Sequence, residues 1–145
     1  MIRTVLAVLL TVALLAAVTP AVDEGRERRT AIHLDRVVDR IDRAARSLHA
    51  HEDPTAPDVA GARRIVSVRL PERSWTAVGA RLWIDGERDL IGYRLDGRRT
   101  HRTRLRGVDL RTPGGRLVVD GGSRRRLELS LVRDDGVGVV VRRGD

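Results

Sequence analysis

Hydrophobic and polar positions divide the chain into three regimes. Thr4–Val22 (TVLAVLLTVALLAAVTPAV) is apolar on every side and uncharged, with Arg3 before it and Asp23-Glu24 after it. These 19 residues, at about 1.5 Å each, span roughly 28 Å as a helix, close to the ~30 Å hydrocarbon thickness of a bilayer. A helix closes its own backbone hydrogen bonds there, and the Thr hydroxyls can bond back to the preceding turn. Two readings fit: an uncleaved anchor, or a secretory signal peptide cut after Ala21 with Thr19 three places before the cut. The apolar length, and the amphipathic segment that follows directly, favour the anchor. Arg26, Arg28 and Arg29 outnumber Arg3, which would hold the C-terminal side in the cytoplasm. A short basic start ahead of a first apolar segment behaves as an export signal. On that ground we expect a single-pass protein of the cell membrane with its C-terminal domain outside the cytoplasm.

From Thr30 to His51 the period becomes 3.6: Leu34, Val37, Val38, Ile41, Ala44, Ala45 and Leu48 form one stripe. Asp39–Arg43 and Asp42–Arg46 are acid-before-base pairs one turn apart, which support a helix. Pro54 and Pro57 forbid its continuation. The stripe can pack on the chain's own sheet, or on a partner helix through Leu34, Ile41 and Leu48, which are seven apart. His49 and His51 point to different faces of such a helix and do not share a metal ion easily.

After Arg63 the alternation becomes two. Strands are predicted at Arg64–Leu70, Val78–Ile84, Asp89–Leu95, Arg98–Arg106, Val108–Thr112, Arg116–Asp120, Arg124–Val132 and Val137–Arg142. Asp85-Gly86, Asp96-Gly97 and Asp135-Gly136 are hairpin signals, since a type I′ turn needs positive φ at both central residues. In the last hairpin Leu127, Leu129 and Leu131 alternate with Glu128 and Ser130, facing Val137, Val139 and Val141. The predicted fold class is α+β. Residues 1–22 are a transmembrane anchor or signal peptide, 23–53 an amphipathic stem helix, 54–63 a linker and 64–145 a small antiparallel β-meander. Its core is Leu and Val, with Trp83 and Trp75 as candidate additions, and the stem stripe would supplement it.

Composition alters this picture in two places. Without Cys there are no disulfides, thiolate metal sites or thiol nucleophiles. All 28 basic residues are Arg, which together with the lack of Asn and Phe reads as a GC-rich genome rather than a guanidinium requirement. The formal net charge of +8 resides in residues 98–126, where ten Arg stand against Asp109 and Asp120. Alternation places Arg98, Arg102, Arg104 and Arg106 on one strand face, and Arg124, Arg125 and Arg126 extend it if their strand is a neighbour. Such a face serves as a charged sheet edge that blocks association, as a contact for an acidic protein or anionic lipid, or as a nucleic-acid contact. Nucleic acid is the less favoured partner, because no Phe or Tyr interleaves with the Arg.

The order of apolar helix with Pro20, amphipathic stem and antiparallel sheet resembles type IV pilins and pseudopilins. In that family the second half of a long N-terminal helix packs on a sheet. The opening MIRTVLAVLLTVALLAAVTPAVD and the strand pair LELSLVRDDGVGVVV are also similar to short uncharacterised membrane proteins of haloarchaea. These resemblances imply a pilus- or secretion-associated role. The sequence contains no GxSxG elbow, P-loop, HExxH or Rossmann fingerprint, so we expect no enzyme, cofactor, metal site or small-molecule substrate. The expected function is a membrane-anchored accessory or structural subunit of a surface assembly that meets other protein subunits. The alternative is a tethered binder of polyanions through the Arg face.

Overall fold

A computed structural model describes residues 1–57, 59–74 and 77–144. One helix, α1, runs from Ile2 to His51, 50 residues without a break, or about 75 Å. Pro20 lies inside it. Thr11 and Thr19 donate their hydroxyls to the carbonyls of Ala7 and Leu15, each at 2.8 Å. The first 25 residues are all exposed, and this stretch is long and apolar enough to cross a membrane. Thr30, Leu34, Val37, Val38, Ile41, Ala45 and Leu48 are buried.

Eight strands follow: β1 (Arg63–Val68), β2 (Ala80–Asp85), β3 (Leu90–Leu95), β4 (Thr100–Arg104), β5 (Leu110–Arg111), β6 (Arg116–Asp120), β7 (Arg125–Arg133) and β8 (Val137–Gly144). Each lies within, or within two residues of, a predicted strand, and the α+β layout is as expected. The pairing is richer than one meander. Two four-stranded sheets form, ordered β1-β7-β8-β5 and β4-β3-β2-β6. Neighbours are antiparallel except for β5 and β8, which run parallel. The linker is pinned rather than loose: the Arg133 N–H donates to the Thr55 carbonyl at 2.7 Å.

Both sheets turn an apolar face to α1. Val66 and Val68, Leu127, Leu129 and Leu131, and Val139 and Val141 form one wall. Leu82, Ile84, Ile91 and Leu95 form the other, and Leu34, Ile41 and Leu48 join the same core at 0 % exposure. The stem stripe is thus spent on the chain's own sheets, which corrects its candidacy as a helix-partner face. In the β7–β8 hairpin Leu129 faces Val141 and Leu131 faces Val139, while Leu127 meets Arg143 and Val137 meets Arg133. Only Asp135-Gly136 has positive φ at both positions, 48° and 116°. At Asp96-Gly97 the glycine alone does, and at Asp85-Gly86 neither does, because the β2–β3 connection runs four residues to Asp89. Trp83 is not a core residue, and Trp75 lies outside the described residues.

Candidate functional site

The sheet β4-β3-β2-β6 turns its second face to solvent. Inward residues alternate with outward ones, so Arg81, Trp83 and Asp85 point away from the core on β2, opposite Arg94, Gly92 and Leu90 on β3. Arg102 lies beside Gly92 and Arg104 beside Leu90, while Arg116 lies beside Asp85. Gly92 is required here by contact rather than by backbone angle. A Cβ at that position would sit 2.4 Å from Trp83 Cζ2, so the indole rests directly on the glycine. Trp83, Asp85, Arg88, Leu90, Arg102 and Arg116 line a concavity of about 390 Å³.

Charge on this face is unevenly compensated. The Asp85 carboxylate is buried and accepts from Arg116 Nη2 at 2.8 Å and Arg88 Nη1 at 3.1 Å. The hydrogen bond from Arg116 holds its pKa below the usual carboxylate value, with Arg88 adding to the effect against the opposing cost of burial. Arg81 pairs with Asp120. Arg94, Arg102 and Arg104 have no ion-pair partner among the described residues. The paired Asp85 went unnoticed in the sequence, although an Arg three residues after a strand-end acid was the available signal.

One face of β4 therefore carries two of the expected contact residues, Arg102 and Arg104. Arg98 lies before the strand, in the turn, with its guanidinium 2.8 Å from Glu27. Arg106 lies after the strand and is exposed, and its carbonyl accepts from Arg46 Nη1 at 3.1 Å. Arg124 precedes β7, where Arg125 and Arg126 pair with Val68 and Ser67 of β1. Arg125 and Arg126 belong to the other sheet, so the neighbouring strand that a continuous basic face requires is absent from the β4 sheet. Nonlocal pairing, which charge counting cannot see, separates them.

The family model for a domain of unknown function, DUF7311, matches residues 1–144. The chain belongs to that family. No curated protein and no solved structure matches it.

Polar contacts set β3 and the β4 segment against the helix. Arg98 meets Glu27 near the apolar segment; Tyr93 donates its hydroxyl to Asp35 Oδ1 at 2.7 Å; Arg46 reaches the Arg106 carbonyl. Glu27, Asp35 and Arg46 follow one another along the helix in the same order as Arg98, His101 (beside Tyr93) and Arg106 along the chain, so the β4 segment runs alongside the stem. Burial, then the Asp35 carboxylate, raise the Tyr93 phenol well above its ordinary pKa. Its ring stacks on His101 with centroids 4.8 Å apart. His49 and His51 are exposed, and the His51 Nδ1 lies 3.1 Å from the Ser47 carbonyl within the helix. Among the described residues no cluster of three or more His, Cys, Asp or Glu is placed to hold a metal.

Proposed function

We propose that the protein is a non-enzymatic, single-pass component of a surface assembly, pilin-like in layout and with its β domain outside the cytoplasm. The observation that carries this reading is the unbroken helix: its first 25 residues are exposed, and the same helix continues into the core of a folded domain. An apolar surface of that extent signals a membrane or a partner, and its length matches a bilayer. A helix packed on a sheet by its second half is also the arrangement that the resemblance to pilins and pseudopilins implies. On this reading the chain stands with the short haloarchaeal membrane proteins that its two ends resemble.

A second reading, polyanion binding, draws on Trp83 among unpaired Arg94, Arg102 and Arg104. A ring on which a base can stack, set among free guanidiniums, is a feature of single-strand binding surfaces. Crosslinking in intact membranes, followed by purification of the tagged full-length chain, tests the two. Recovery of defined membrane subunits, lost when Thr4–Val22 is replaced by a cleavable signal, is the expected result. Recovery of nucleic acid alone, lost steeply with salt, would contradict it.

A further inference from the structure

The strand β4 ends its sheet, and all five of its residues are exposed. The Leu105 N–H donates to the Asp89 carbonyl at 2.8 Å, and the register pairs His101 with Tyr93 and Thr103 with Ile91. In an antiparallel ladder, every second residue turns both backbone groups to its neighbour. His101 and Thr103 therefore bond to β3, while Thr100, Arg102 and Arg104 turn N–H and C=O to the open edge. Among the described residues nothing else takes these groups. The other edges are less available. β5 has two residues, and the Val118 carbonyl of β6 accepts from Arg143 Nη2 at 3.0 Å. β1 is tied to the helix by the Arg64–Glu52 ion pair and by His33 on the Arg69 carbonyl just beyond it.

We propose that the β4 edge accepts an extended acidic segment of a partner protein as a fifth strand. The two properties of the edge select this occupant together. Open backbone groups favour an added strand. Arg102 and Arg104 repeat at about 6.8 Å, the spacing of every second residue of an extended peptide, so alternate Glu or Asp meet them across the ladder. A second copy of this chain is disfavoured, because antiparallel self-pairing centred on Arg102 puts guanidinium opposite guanidinium. Since β4 runs alongside the stem, the edge faces sideways to neighbours in the membrane plane rather than down onto lipid. This deepens the assembly reading and rests on it for its partner class.

The test uses the full-length chain in detergent micelles at physiological salt, where long-range attraction is screened beyond about 8 Å. The probe is a labelled peptide of about six alternating Glu and Val residues, followed by fluorescence anisotropy. The combined Arg102→Glu and Arg104→Glu variant is expected to weaken binding about tenfold or more. Arg124→Glu, Arg125→Glu and Arg126→Glu together leave it unchanged. An alternating Arg–Val peptide is expected to bind the Arg102→Glu, Arg104→Glu variant, which separates recognition from misfolding. Methylating the acidic peptide's backbone amides on the β4-facing side is expected to abolish binding. Undiminished binding of the methylated peptide, absence of any binding, or preference for oligothymidylate would overturn the proposal. The assay reads the edge alone: its failure leaves the anchor standing, and release of the chain from membranes leaves peptide binding untouched.

Discussion

Asp85 and Gly92 carry the most specific consequences at the scale of single residues. Because the folded carboxyl of Asp85 is held below its ordinary value, its pairing stabilises the fold fully above the ordinary carboxylate pKa. That contribution is lost as pH falls through the lowered folded value. Asp85→Asn is expected to cost about 1–2 kcal/mol at neutral pH, the lower part of the range for charged hydrogen bonds, since Arg116 and Arg88 are themselves more than half exposed. Denaturant melts at a series of pH values should show the gap from wild type closing in acid; a gap independent of pH would contradict the assignment. Gly92→Ala is expected to displace the indole of Trp83, read as a shift in emission in a Trp75→Phe background, at a cost of about 1–3 kcal/mol in stability. Trp83 illustrates how a residue's place is read. As a large aromatic in a chain with no Phe it invites a core assignment, yet it alternates with Leu82 and Ile84, so one of the two sets had to face out. The alternation was the better guide.

Among the elements, α1 is a stalk at one end and a wall of the core at the other. Deleting residues before 24 is expected to leave a soluble chain that still melts cooperatively, with its helical circular dichroism reduced by the part of α1 removed. A chain starting at 56 loses Leu34, Val37, Val38, Ile41, Ala45 and Leu48, all 5 % exposed or less, and is expected not to fold cooperatively. A sharp melt of the shorter fragment would show that the sheets close without the stem. Within the full chain Ile41→Ala should cost about 2–5 kcal/mol. The stem, the eight strands and the closing β7–β8 hairpin were legible in the sequence because each rests on local periodicity. Pairing of β1 with β7, some sixty residues away, and the parallel β5–β8 contact were not. They are decided by which apolar faces meet across the core, and no short window contains that. Whether the Arg clusters share a face stays conditional on strand pairing for the same reason: segment charge is visible in the sequence, sheet membership is not.

At the scale of the whole molecule, a single continuous helix joins a bilayer-length apolar segment to the domain it helps to build. Arg98 on Glu27 fixes one end of the β4 segment close to the apolar stretch, and Arg46 on the Arg106 carbonyl fixes the other end further along. The domain therefore stands beside its stalk, with the β4 edge running along the stalk and the Trp83 face open to solvent. The proposed role as an anchored subunit requires the apolar segment to stay attached. The most direct measurement is the intact mass of the chain recovered from carbonate-washed membranes. Full-length protein beginning at Met1 and retained in the membrane pellet is the result this account predicts. A soluble chain that begins after Ala21 would contradict it.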